Sequence, residues 1–371
     1  MFALLQLIAY LWALVVVPLA TLLGFAAVTW PGRLFALAAL CAGLAPVVFG
    51  FTRPRWRRAA TGLLVIAGTL YATLVLSAPP LRTTNRAQTL SPLHSGWAGR
   101  LSPTRVLPEQ DQLALGFFLA LPTDPLLTLP QVLQLRRLTA DLYRELDADS
   151  DFRGLPTALP AMYASLWSAD RASRDGFVYV PPSLDRRIPA PALIFLHGSG
   201  GNFKAYLWIL SRVADATGSV VIAPNNGFGQ WSSADTPAIV ASALARTRQF
   251  VPLDESRLTV IGLSNGGLGV CQTLAARPAG WAAAVLISPV FDDDALGSLA
   301  STRLDGLPVA VYTGNDDDRV PLDYVQASAD RLARAGAQVD FTAVAGANHF
   351  LFFSHRRLLG DQLIRWLAAH R

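Results

Sequence analysis

The chain has 371 residues, a length that suits two parts better than one average domain. Apolar residues make up 52% of it, charged ones 15%, and the formal net charge is +5. Five arginines (Arg33, Arg53, Arg55, Arg57, Arg58) and no acidic residue lie in 1–80, so the remaining chain is electrically balanced and a nucleic-acid footprint is excluded.

Three apolar stretches open the chain, at about 2–28, 34–51 and 59–78. Each approaches the ~20 residues a helix needs to cross the hydrocarbon core, where it satisfies its own backbone polar groups. The connector Trp30–Arg33 carries one arginine and the connector Thr52–Arg58 carries four. The positive-inside rule puts the second connector and the N-terminus in the cytoplasm and everything after Ala78 outside. The expectation is an integral protein of a bacterial inner or plasma membrane, with the lipid bilayer as a partner. A cleaved signal peptide would explain only the first stretch, which lacks a basic start and is long for such a segment.

Residues 79–110 are rich in Pro, Ser, Thr and Arg and read as a loop or stalk. Glu109 and Asp111 then lead into LALGFFLALP, an apolar helix or a surface-lying segment. Leu135, Leu138, Leu142 and Leu146 recur at helical spacing, with Arg136, Arg137, Asp141 and Glu145 on the remaining surface. Residues 81–175 are thus expected to form a stalk and a helical cap or linker, packed structurally or shaping a substrate entrance.

From Gly176 the pattern changes to apolar runs alternating with helical segments. Strands are expected at 177–180, 192–196, 219–225, 258–262, 283–289, 308–314 and 339–346. Helices fall at about 237–250, 265–276, 322–335 and 356–369. Continuous apolar strands between helices predict an α/β domain over 176–371, with a mostly parallel, doubly wound sheet. Ligands bind such sheets beyond the carboxyl ends of the strands.

The residues with chemistry cluster at those ends. Gly262-Leu-Ser264-Asn-Gly266 fits G-x-S-x-G between a strand and a helix. A serine there stands on a tight bend that needs minimal side chains two residues before and after it, and the helix N-terminus favours developing negative charge. Serine needs a base, and His349 follows a strand in AGANHF. His355 is a second choice, and His94 and His370 lie in the stalk and at the terminus. An acid to orient the histidine is offered by Asp316, Asp317 and Asp318, with the run Phe291–Asp294 as an outside alternative. LHGSGGN (Leu196–Asn202) supplies a loop whose backbone N–H groups can approach an oxyanion. The expected donors are the backbones of Asn265 and Ser199, with Gly200 as second choice. Gly198 keeps the loop slim, and His197 is expected to buttress it. Lys204, the only lysine, sits at a helix start. Cys41 and Cys271 imply no disulfide framework, no zinc spacing is present, and no metal or organic cofactor is expected.

Residues 176–371 resemble a serine esterase of the α/β-hydrolase superfamily. LHGSGGN and GLSNGG are similar to the motifs of polyhydroxybutyrate-depolymerase-like and feruloyl-esterase-like enzymes and of the phospholipase/carboxylesterase group. TGNDDDRVP resembles the family pattern Gly-x-x-Asp-x-x-Val-Pro, which selects Asp317. The resemblance implies the order Ser264, Asp317, His349 and an acyl-enzyme formed from a small-molecule or lipid-like ester. A serine peptidase and an acyltransferase with the same three residues remain open. A non-catalytic, membrane-tethered binding module is the reading of another class.

Overall fold

The computed structural model describes residues 2–50, 54–90, 101–165, 175–229, 231–232, 234–302 and 304–370. The chain forms two compact units, 1–80 with 94–144 and 81–93 with 145–371. The middle segment 81–175 is thereby divided between them.

In the first unit, α1 (Phe2–Ala26), α2 (Trp30–Phe49) and α3 (Pro54–Ser77) are each long and apolar enough to cross a membrane. Both expected connectors are shorter than the charge pattern suggests, because helix absorbs them. Trp30–Arg33 is the first turn of α2: the Thr29 hydroxyl accepts the Gly32 N–H at 3.0 Å, and Pro31 is tolerated in a first turn. Pro54 starts α3 for the same reason, so Arg55, Arg57 and Arg58 are helical. Thr52 and Arg53 lie outside the described residues. The unit continues with α4 (Pro103–Val106), α5 (Glu109–Ala120) and most of α6 (Leu129–Ala148).

In the second unit, β1 (Ala87–Thr89) and α7 (Leu159–Ala164) precede the expected alternation. That alternation is β2 (Gly176–Tyr179), β3 (Ala190–Leu196), α8 (Lys204–Thr217), β4 (Val220–Pro224), α9 (Thr236–Thr247), β5 (Leu253–Leu263), α10 (Gly266–Ala276) and β6 (Ala283–Ile287). It ends with α11 (Asp293–Thr302), β7 (Pro308–Gly314), α12 (Leu322–Arg334), β8 (Gln338–Val344), α13 (Leu351–Ser354) and α14 (Arg356–Ala369). The strands form one eight-stranded sheet in the order β1-β2-β4-β3-β5-β6-β7-β8. β2 runs antiparallel to both β1 and β4, and every other pair is parallel. This is the sheet of the α/β-hydrolase fold.

One strand was not expected. Ala87–Thr89 lies in the segment read as a loop or stalk, yet it pairs with Phe177–Tyr179. Three residues are too few for a period-2 pattern to show. Residues 91–100 of that segment lie outside the described residues.

Alternation within β3 fixes what covers each face. Ile194 and Leu196 join Val260, Val270, Leu274 and Val325 in one core cluster, on the side of α10 and α12. Phe195 points the other way, stacking on Phe352 at 5.7 Å and lying 5.2 Å from Tyr206 of α8. The sheet is therefore covered on both faces, and its C-terminal strand ends are left to carry loops.

Candidate active site

β5 ends at Leu263 and α10 begins at Gly266, so Ser264 sits on the bend between them. Its φ is 51°, a left-handed conformation that a non-glycine residue adopts only when surroundings force it. Those surroundings are visible. The Ser264 N–H donates to the Ile287 carbonyl at 2.9 Å, and its own carbonyl accepts from Gly267 at 2.8 Å and Val290 at 3.0 Å. A Cβ at Gly262 would stand 2.6 Å from the Gly266 carbonyl oxygen, and one at Gly266 would overlap the Leu196 carbonyl. Gly198 is less tight: a Cβ there would lie 3.2 Å from the Leu263 carbonyl oxygen and 3.3 Å from the Ser264 Cβ.

Three loops bring Ser264, His349 and Asp317 together. His349 Nε2 lies 3.0 Å from the Ser264 hydroxyl, and His349 Nδ1 lies 2.9 Å from Asp317 Oδ2. Asp317 is held in turn, since its Oδ1 accepts the N–H groups of Arg319 at 3.0 Å and Val320 at 2.9 Å. The Asp316 N–H donates to the Ala347 carbonyl at 3.0 Å, tying the acid loop to the histidine loop. Asp317 is buried, whereas Asp316 and Asp318 face solvent. With Nδ1–H directed at a carboxylate, Nε2 carries the lone pair that can take a hydroxyl proton.

Asn265 caps α10, so its N–H stands at a helix start beside Ser264. Among the described residues, neither this N–H nor that of Ser199 donates to another group. Gly200 differs from expectation. Its φ is +92° and its N–H donates to the Phe228 carbonyl at 3.1 Å, so this donor is already committed within the loop.

His197 is fully buried under that loop. The Asn226 N–H donates to its Nε2 at 3.0 Å, which places the ring proton on Nδ1, 2.8 Å from the Gly198 carbonyl. Trp231 Nε1–H donates to the His197 carbonyl at 2.7 Å, and the two rings meet edge to face at 5.0 Å. Burial pushes the imidazole down from its ordinary value of 6.5 to about 4, so it is neutral at pH 7. Trp231 and Asn226 carry no motif, and they reach His197 only through the loop after β4.

The remaining candidates have other partners. Asp292 Oδ1 accepts the Ala295 N–H at 2.8 Å and caps α11, while its Oδ2 accepts from Gln272 at 2.8 Å. The His355 ring pairs with the Ser354 hydroxyl, and His370 Nδ1 with the Trp366 carbonyl. His94 lies outside the described residues. Burial pushes the Cys271 thiol up to about 12, which keeps it from acting as a thiolate. Lys204 starts α8, half-buried near Asp147. Among the described residues no cluster of His, Cys, Asp and Glu is suited to a metal ion.

No protein-family model and no curated protein matches the chain. Among solved structures, it is similar to a thermostable esterase at 21% identity, over 53% of this chain and 58% of that one, with a TM-score of 0.43. It is also similar to an esterase of Pyrobaculum calidifontis at 19% identity, over 53% and 82% of the two chains, with a TM-score of 0.42. Porphyromonas gingivalis dipeptidyl peptidase 4 is similar at 16% identity, over 53% and 33%, with a TM-score of 0.40.

Proposed function

We propose that this chain is a membrane-anchored serine hydrolase that cleaves carboxylic esters. The observation that carries the reading is the unbroken line Ser264–His349–Asp317, with Ser264 at φ 51° beyond the end of a central parallel strand. His349 Nε2 takes the Ser264 proton as Oγ attacks the ester carbonyl. Asp317 holds the ring and stabilises the imidazolium. The N–H groups of Asn265 and Ser199 receive the oxyanion. The alcohol leaves with the proton from His349, and water activated by the same ring then releases the acid. The helices α1–α3 tether the site to a bilayer, with the N-terminus cytoplasmic and the sheet outside.

Ser264→Ala tests the assignment. Loss of about 10⁴-fold or more in kcat on simple aryl esters is expected, with the fold intact by circular dichroism. Full activity in that variant would sink it. The same three residues can cleave amides or pass an acyl group to another acceptor. Paired ester and aminoacyl-amide substrates, and product analysis with added alcohols, separate these cases.

A further inference from the structure

The first unit contains a segment that buries a run of polar residues and leaves several leucines half exposed. In α5, Glu109, Gln110, Asp111 and Gln112 are buried, whereas Leu119 is 44% exposed. Further on, Leu126, Leu129 and Leu133 are 52%, 50% and 42% exposed.

The polar end has a specific seat. Asp111 Oδ1 accepts the N–H groups of Val28 at 2.7 Å and Thr29 at 3.2 Å, and Oδ2 accepts the Thr29 hydroxyl. From α6, Arg136 donates to the carbonyls of Ala26 at 2.6 Å and Ala27 at 3.0 Å. A carboxylate thus takes N–H groups leading into α2, and a guanidinium takes carbonyls at the end of α1, each matching the local helix dipole. This clasp holds the tip of the α1–α2 hairpin. At 1.5 Å per residue α1 is roughly 37 Å long, against a hydrocarbon core of about 30 Å, so it is long enough for its end, and the clasp, to reach the headgroup level.

Leu115, one turn past Asp111, packs against the cluster of Leu23, Ala27, Ala36 and Leu107 around the α1–α2 turn. The chain returns to the clasp at Arg136, and residues 112–135 between contain one charged residue, Asp124. The bend that joins α5 to α6 is built as lipid requires. Pro122 and Pro125 have no N–H. Thr123 and Asp124 donate to the Ala120 carbonyl, and Leu127 to that of Asp124. Leu126 donates to Asp124 Oδ1 at 3.0 Å, and Thr128 to Gln131 Oε1 at 2.9 Å. Every N–H from 122 to 128 is therefore absent or bonded inside the hairpin, so no backbone donor of the bend needs water.

We infer that residues 113–133 form a re-entrant hairpin that dips into the outer leaflet beside α1 without crossing the membrane. Asp111 and Arg136 mark where it enters and leaves. The inference rests on the reading of α1–α3 as membrane-crossing helices.

Lipid contact tests it in the full-length protein. Single cysteines replace Leu14 in α1, Leu119 and Leu126 in the hairpin, and Arg187 in the sheet unit. The native Cys41 and Cys271 are buried, and the unsubstituted chain controls for their labelling. Each variant carries an environment-sensitive fluorophore in phosphatidylcholine–phosphatidylglycerol vesicles, with or without nitroxide on the lipid tails. Quenching at Leu119 and Leu126 comparable to that at Leu14, and none at Arg187, is expected. Quenching at Leu14 but at neither hairpin position overturns the hairpin, whether water or protein covers it. Loss of quenching at Leu14 too overturns the membrane reading, and the hairpin with it.

Discussion

At Ser264 the backbone stores strain of about 1–3 kcal/mol, a cost that a positive φ imposes on a side-chain-bearing residue. Glycine at 264 would release it and alanine would not. Ser264→Gly should therefore melt above Ser264→Ala in thermal unfolding, with both inactive on esters. Equal or reversed melting would remove strain from the account. His197 has its own signature. Its folded pKa of about 4 lies below the ordinary 6.5, so the unfolded chain takes up a proton first as pH falls. Stability from this residue is complete above about pH 6.5 and drains away toward pH 4, a loss of about 3 kcal/mol. Urea midpoints measured from pH 7 to 4 should fall more steeply than in His197→Gln, and parallel curves would contradict a buried neutral ring. The meeting of Ser264, Asp317 and His349 was legible because each stands in a contiguous motif after its own strand. The bond that occupies the Gly200 N–H was not legible, because its carbonyl belongs to Phe228, 28 positions on, where no pattern points to it. Trp231 and Asn226 went unseen for the same reason.

At the scale of elements, periodicity located most of the strands and long helices but gave no range for α8 (Lys204–Thr217) and no sign of α11 (Asp293–Thr302). Pro31 and Pro54 look like loop residues, yet a first helical turn accepts proline, so both connectors shrank. β1 escaped notice because three residues give no period, and only its neighbour β2 makes it a strand. Arg136 was assigned to the exposed side of its helix by the leucine spacing. That spacing identifies one buried stripe and says nothing of a second partner, here the last carbonyls of α1. The Asp111 clasp makes a prediction at this scale. Asp111→Ala strands the part-buried N–H groups of Val28 and Thr29, each at a cost below the ~1–3 kcal/mol of a fully buried, unmade hydrogen bond. Detergent-solubilised full-length protein should unfold at a lower temperature in this variant. An unchanged transition would mean that the clasp contributes nothing.

At the scale of the whole molecule, two units of opposite character share one chain. The first carries three long apolar helices whose only charged residues are arginines, at Arg33 and around the start of α3. The second is an α/β-hydrolase sheet with charge-balanced surroundings. Under the proposed function, their combination tethers an esterase site to a membrane on the side opposite the arginine-rich connector. A reporter active only outside the cytoplasm, fused after Arg371, should give signal, and a cytoplasmic signal would reverse the orientation. The central claim, that Ser264 is a nucleophile activated by His349, is tested most directly by covalent capture. Membranes containing the full-length protein are treated with a serine-directed fluorophosphonate and the labelled peptide is sequenced by mass spectrometry. The account predicts one adduct, on Ser264, that disappears in Ser264→Ala and is strongly slowed in His349→Ala. No adduct, or an adduct on another serine that persists in Ser264→Ala, would contradict it.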